Sequence, residues 1–564
     1  MKLRLPGNVK APTTLRCLGL IAGVALTLTL GGVRQTSVCR GSGDKLKFVG
    51  HLFQTASLPG AQDYLTAAEN RGKQIYTQGT SPSGKEILAY LGDSSLEIPG
   101  SAMACANCHG LEGQGKPEGG VNPSNLTWES LTKPYGVSRV NGRSHQPYTE
   151  RGLELAITRG VDPAGNKLQN IMPRYQVSRD DLTDLILYLK RLREYRDPGI
   201  SQDKIVIGAA VPAKGDLADM GRAVKAVTTA FFSEATAQGG VYNRGFELKF
   251  IEIADTPSAT RANLEHFLRN EHVFAMTGAF IAGSEQEWAT LMEESKVPLI
   301  GPLTLYPQIS FPLNRQVFYL LSGIDEQARA LLRFAATKSE LKETGLAIVS
   351  PESKLNEGVI QAIRDQCKKD GLKAPEIYKY PAGRFAATEA AKIVSQANRD
   401  AVFFLGSGQD VLLFMKEAEK LHWFPTLLLP GPNAGTDIFD APAGFANKLF
   451  FSFPTSPVDQ TLAGISEFRA LAGKYNLPHD HLAAQLSAFS AAKILVEGLK
   501  RAGRDVSREK LIAALEGLSR FETGLTPAIT FGPNRRVGAL GAYIVSVDLE
   551  KRQLVPVSSW VGTD

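Results

Sequence analysis

Cysteine is scarce in this chain: five in 564 residues. Cys17, Cys39 and Cys367 lie far apart, so no disulfide framework is indicated. An excess of one charge is also lacking. Lys and Arg total 63 and Asp and Glu 57, but the first 40 residues hold Lys2, Arg4, Lys10, Arg16, Arg34 and Arg40 and no acid. The remainder is electrically balanced, which argues against a nucleic-acid-binding body. Beyond those 40 residues no run reads as apolar for long enough to span a bilayer. No P-loop and no G-x-S-x-G stands anywhere, and no catalytic residue is assigned. What is present is ordinary globular usage, 43% hydrophobic and 21% charged. That excludes disordered, collagen-like and multi-span chains. The length suits about three to four domains.

Residues 1–40 read as an export signal, with a basic start followed by the apolar run Cys17–Val33. No A-x-A site follows, and Val38 before Cys39 suits a lipoprotein site poorly. A cleaved signal is favoured over a retained inner-membrane anchor; either places the body in the periplasm. Residues 41–64 form an irregular lead-in. From 65 to 192 the apolar pattern is helical. In its last helix, 179–192, Leu182, Leu185, Ile186, Leu189 and Leu192 share one face, with Ser178 and Asp181 as a capping box. Residues 193–203, with Pro198-Gly199, read as a linker. From Lys204 to the end, strands such as Ile205–Val211, Glu376–Tyr380 and Thr426–Pro430 alternate with helices. That rhythm implies parallel sheets covered by helices, in two lobes.

Cys105-Ala-Asn-Cys108-His109 carries the most specific chemistry. C-x-x-C-H is the c-type haem attachment pattern: two thiols add to two vinyl groups, and the adjacent imidazole takes the iron. A zinc half-site would need further ligands, and residues 60–200 hold no other cysteine. A redox dithiol would need a βαβ surround, which this segment lacks. Met172, in Asn-Ile-Met-Pro-Arg-Tyr, stands 63 residues after His109 in a Pro-containing loop before the last helix. It is the favoured second axial ligand, a soft thioether that raises the reduction potential. His145 and His51 are the rivals; His145, among Arg143, Ser144 and Gln146, reads as part of a solvated loop.

On these residues the segment 65–192 resembles a class I cytochrome c domain, an all-α fold. Gly72 and Tyr76 match the Gly/aromatic pair of that family's first helix, and Tyr188-Leu189 its last helix, which crosses the first. The resemblance implies one covalent haem c and electron transfer between proteins, the partner here a periplasmic dehydrogenase or another cytochrome. The departure is the long stretch 77–104, read as part of a docking surface.

Residues 204–564 resemble the type I periplasmic solute-binding proteins, in the branch that serves ABC transporters for branched-chain amino acids. The match runs through Lys204–Pro212, Ala237–Val241, Ala275–Ser284, Val297–Thr304 and Gly524–Arg535. It implies two α/β lobes closing on a small organic ligand. Ligands of such folds sit beyond the C-terminal ends of strands, which nominates Gly283, Ser284, Thr304 and Asn433. For Ser284, helix capping is an equal alternative. Leu355-Asn356 stands where amino-acid binders commonly use an aromatic. Near Asn433 they commonly carry an acid, and here Asp437 comes only later. A desolvated ammonium without a counter-charge is costly, so a neutral or anionic ligand is expected over a free amino acid. His479-Asp480-His481 reads as a solvated helix start. The expected function is periplasmic electron transfer without enzymatic turnover. The alternative is a transport or sensory binding protein with an accessory haem domain.

Overall fold

The computed structural model describes residues 65–563, apart from short stretches at 93–95, 118, 139–142, 193–195, 255, 310–311, 338–344, 398, 400 and 434. The proposed signal or anchor, the lead-in, Cys39 and His51 lie outside the described residues.

The first module is built on helices α1 (Ala67–Gln78), α2 (Cys105–His109), α3 (Trp128–Leu131), α4 (Glu150–Arg159) and α5 (Arg179–Arg191). Thr66 and Glu69 make a reciprocal capping box on α1, and Gly79 ends it at φ 66°. At α5, Ser178 caps the backbone of Asp181. The Asp181 carboxylate accepts from the hydroxyls of Ser178 and Ser81, so it ties the helix start to a loop near α1. α1 and α5 cross at Gly72: a Cβ there would lie 2.0 Å from the Asp184 carbonyl oxygen. The absent side chain is therefore what permits the crossing. Around it Ile75, Tyr76, Leu185, Ile186 and Leu189 are buried in one core.

The expectation of an all-helical module is corrected. Residues 88–91 and 96–99 form a hairpin, and Arg174–Gln176 adds a third antiparallel strand. The reason is in the stretch that departs from the family: Ile87 and Ala89 alternate inward, a two-residue period that a helix cannot use. The inner strand of this hairpin pairs with the chain leaving Met172, with Ala89 opposite Tyr175, and the strand 96–99 is the exposed edge.

The linker is docked on the second module. Asp197 is buried, accepts from Lys73 Nζ at 3.1 Å, and takes the backbone N–H of Arg508 at 2.6 Å. Glu112, just past the C-x-x-C-H motif, pairs with Lys510.

The second module has two lobes, as expected. In lobe one six parallel strands run in the order Val537–Ala539, Val317–Leu321, Leu299–Ile300, Ala275–Thr277, Lys204–Val211, Gly245–Glu252. In lobe two Glu376–Tyr380, Leu346–Pro351, Ala401–Phe404, Thr426–Pro430 and Leu449–Phe453 are parallel, with Gly541–Asp548 and Gln553–Pro556 antiparallel at the edge. Helix Leu482–Ala502, whose start was read at His479-Asp480-His481, meets the length and hydropathy of a membrane span. Its Ala488, Ala491, Ile494 and Leu495 instead fill the lobe-one core.

The chain passes between lobes three times: before Ile324, before Leu462 and before Gly541. Buried Ser322 joins two of these passages, donating to the Ala539 carbonyl at 2.7 Å and accepting from Gly541 N–H at 2.9 Å. Ser322→Ala would strand both groups. It is expected to cost about 1–3 kcal/mol, read as a lower melting temperature of this module in the full chain. An unchanged melt would contradict this role.

Candidate functional site

The C-x-x-C-H motif folds as the single turn α2, held between Ala104 and Gly110. One helical turn puts positions i, i+3 and i+4 on one face, so Cys105, Cys108 and His109 point together. All three line one cavity with Met172. Two tyrosines fix the turn: Tyr76 of α1 donates to the Gly110 carbonyl at 2.7 Å, and Tyr175 donates to Met103 at 2.6 Å. His109 is buried, with Nδ1 2.9 Å from the Ser124 carbonyl. That contact orients the ring and leaves Nε2 available to a metal. Burial lowers its pKa, which favours the neutral ligating form. Burial also pushes the Cys105 thiol up to about 12, while Cys108 is exposed at the rim.

Met172 is presented by its own loop. Arg174 donates to the Met172 carbonyl and, at 3.0 Å, to that of Leu168, while its side chain packs over Gly160. Arg174→Ala should loosen this loop while leaving both cysteines in place. Its expected signature is normal covalent haem content with partial carbon monoxide binding to the reduced protein. Carbon monoxide exclusion equal to the parent's would contradict it.

The remaining walls are apolar, with Leu126, Leu131, Leu153, Ile157, Leu185 and Leu189, and one edge carries Asn122, Ser124, Asn125 and Arg143. The empty space, open mouth included, is about 1560 Å³. Two thiols, an imidazole and a thioether around an apolar slot with a polar edge fit a covalently bound haem. Arg143, 3.4 Å from Asp162, is a cation at that edge.

His145 is not in a solvated loop. It is 6% exposed, lines this same cavity, and packs edge-on against Tyr148. The short strand pair Val137–Ser138 with Ser144–His145 draws the segment inward, which its polar neighbours hide.

In the second module Gly283, Ser284 and Thr304 come together at the strand ends of lobe one. What joins them is Glu285, which the sequence reading did not nominate. Its carboxylate accepts from Gly283 N–H at 3.0 Å and from the Thr304 hydroxyl at 2.8 Å. Ser284 precedes helix Glu285–Ser295 without capping it; its hydroxyl is 3.4 Å from the Ile281 carbonyl. Asn433 lies in lobe two and donates to the Leu405 carbonyl at 3.3 Å. Opposite the lobe-one loops, Asn356 accepts from Tyr306 at 3.4 Å, a contact between lobes. Tyr306 also packs on the lobe-two core. The run His479-Asp480-His481 precedes helix Leu482–Ala502 as read. Among the described residues no group of three metal-ligating side chains occurs. Buried Cys367, its thiol pushed up to about 11 by burial, is a core side chain.

The cytochrome c family matches residues 100–193 and the periplasmic binding protein family residues 204–553. No curated protein matches the chain. Among solved structures, a branched-chain amino acid ABC transporter protein from Thermus thermophilus with bound valine is 19% identical. It covers 64% of this chain and 98% of its own, with a TM-score of 0.53. A fatty acid ABC transporter substrate-binding protein from Thermomonospora curvata is 16% identical, covering 65% and 95%, with a TM-score of 0.52. A possible leucine/isoleucine/valine-binding protein from Rhodopirellula baltica SH 1 is 17% identical, covering 63% and 96%, with a TM-score of 0.51. At these identities the likeness concerns the fold. The chain belongs to the periplasmic binding protein family, with a cytochrome c domain ahead of its binding-protein module.

Proposed function

We propose that this protein is an exported electron carrier that holds one haem c and uses its binding-protein module for a small organic ligand or for partner docking. The observation that carries this reading is the convergence of Cys105, Cys108, His109 and Met172 on one cavity. When bound, the haem supplies a one-electron couple. Cys105 and Cys108 would hold it covalently, His109 and Met172 would supply ligands to its iron, and the apolar walls would keep water out. A thioether ligand from Met172 would favour the reduced state and compete with any substrate for the iron, so the reading is of a carrier and not of an enzyme. Periplasmic redox proteins, a dehydrogenase or another cytochrome, are the proposed partners. Residues 1–40 are the proposed export signal or anchor. A potentiometric titration of the purified holo-protein tests this. It should show one reversible one-electron step per chain; an irreversible or absent step would contradict it.

A second reading, a transport or sensory binding protein with an accessory haem domain, rests on the two lobes and the Tyr306–Asn356 contact between them. It requires stabilisation by a solute, because a ligand that binds only the folded state raises the melting temperature.

A further inference from the structure

A second cavity lies where the haem module, the linker and lobe one meet. It is about 880 Å³ with its open mouth included, and shares no lining residue with the haem slot. Thr77 of α1 and Tyr188 of α5 form its haem-module wall. Three arginines face it: Arg196 from the linker, Arg244 ahead of strand Gly245–Glu252, and Arg504 beyond helix Leu482–Ala502. The two lysines in its walls are already answered. Lys73 holds Asp197 at 3.1 Å, and Lys510 holds Glu112. Of the remaining acids in the walls, Glu509 stands 3.6 Å from Arg315. Asp505 is then the acid left to face the three guanidiniums, so two positive charges stand over.

Arg244 is 9% exposed, and its guanidinium donates to the carbonyls of Ser201 at 2.9 Å and of Arg504 at 2.8 Å. Both acceptors are neutral. Burial, and after it the charges of Arg196 and Arg504, lower its pKa, with Asp505 acting the other way. Among the described residues, Arg196 and Arg504 make no ion pair. Like charges brought together at a partly dry place are costly unless a counter-charge joins them. The planar fork of a guanidinium matches the paired oxygens of a carboxylate or a phosphoryl group.

We propose that this junction cavity binds one small doubly charged oxyanion, a phosphoryl group or a dicarboxylate, held by Arg196, Arg244 and Arg504. Such an anion balances the two surplus charges, whereas a singly charged one leaves half of them unanswered. Because α1 and α5 share the cavity with lobe one, the bound anion braces the haem module against the binding-protein module. The site lies apart from the strand-end loops of Gly283, Thr304 and Asn433, so it does not depend on what the two lobes enclose.

Inorganic phosphate, sulfate and succinate are titrated by calorimetry into full-length holo-protein, with acetate as the singly charged control. Ionic strength is held constant, because salt screens exposed charges. One saturable site per chain is expected for the doubly charged anions, at least about 10-fold tighter than for acetate. In Arg196→Gln/Arg504→Gln their affinity should fall by about 10-fold or more, the scale of a lost charged hydrogen bond. The bound anion should also raise the melting temperature read at a haem band, in the parent and not in the variant. Phosphate binding tighter than succinate assigns a phosphoryl ligand, and the reverse order a dicarboxylate. No saturable binding by any of the three, or acetate binding as tightly, would overturn the proposal. Unchanged affinity in the variant would overturn it too, since the anion would then sit elsewhere, the cleft between lobes included. The variant keeps the Arg244 bonds to both carbonyls; should it still fail to fold, Arg196→Gln and Arg504→Gln are read singly by the same criteria.

Discussion

Replacing Met172 by alanine is expected to lower the reduction potential and to open the reduced protein to carbon monoxide. The thioether stabilises the ferrous state, and axial ligands move haem potentials over a range of ~0.8 V. Loss of the sulfur should therefore give one of the largest redox changes available to a single substitution. Covalent haem content should not change, because Cys105 and Cys108 sit on α2, away from the Met172 loop. The measurement pairs a potentiometric titration with a carbon monoxide difference spectrum. The contradicting result is a Met172→Ala protein that keeps its potential and stays closed to carbon monoxide. Since His145 lines the same cavity, that outcome would move the ligand assignment to it, and Met172→Ala/His145→Ala would then be the protein that opens.

The second large effect belongs to Gly72. Any Cβ there meets the Asp184 carbonyl oxygen at 2.0 Å and the Tyr188 Cβ at 2.8 Å. The first is backbone and cannot swing away, so α1 must move off α5. Gly72→Leu is expected to cost about 3 kcal/mol or more, at the upper end of overpacking effects. The damage should stay in the haem module: Tyr76, one turn along α1, would lose its hold on the Gly110 carbonyl. Thermal unfolding followed at a haem band should shift to lower temperature. A melt within a degree or two of the parent would contradict the close crossing.

The parts that were legible in the sequence are those fixed by short-range chemistry. The C-x-x-C-H turn is read from five residues, because one helical turn suffices to gather its three functional side chains. Gly72 was readable through the resemblance to the first helix of the cytochrome c family, where a glycine lets the last helix approach closely. The strands Glu376–Tyr380 and Thr426–Pro430 fall where the alternation of strand-like and helical segments places them. Long-range pairing was not legible. The hairpin at 88–99 needs Arg174–Gln176 as its third strand, more than 70 residues away. His145 was hidden because its neighbours are polar, and its burial comes from a strand pair and from Tyr148. Glu285 was missed for a similar reason. At the first position of a helix a glutamate is an ordinary dipole partner. Only its two bonds, to loops after different strands, show that it ties those loops together.

The central claim is that a haem is bound covalently through Cys105 and Cys108. The most direct measurement is mass spectrometry of the purified chain, first denatured and then cut into peptides. The account predicts a mass increment of one haem per chain, retained after denaturation and carried by the peptide that contains Cys105, Cys108 and His109. A chain at its bare mass, a haem lost on denaturation, or an increment on any other peptide would contradict it.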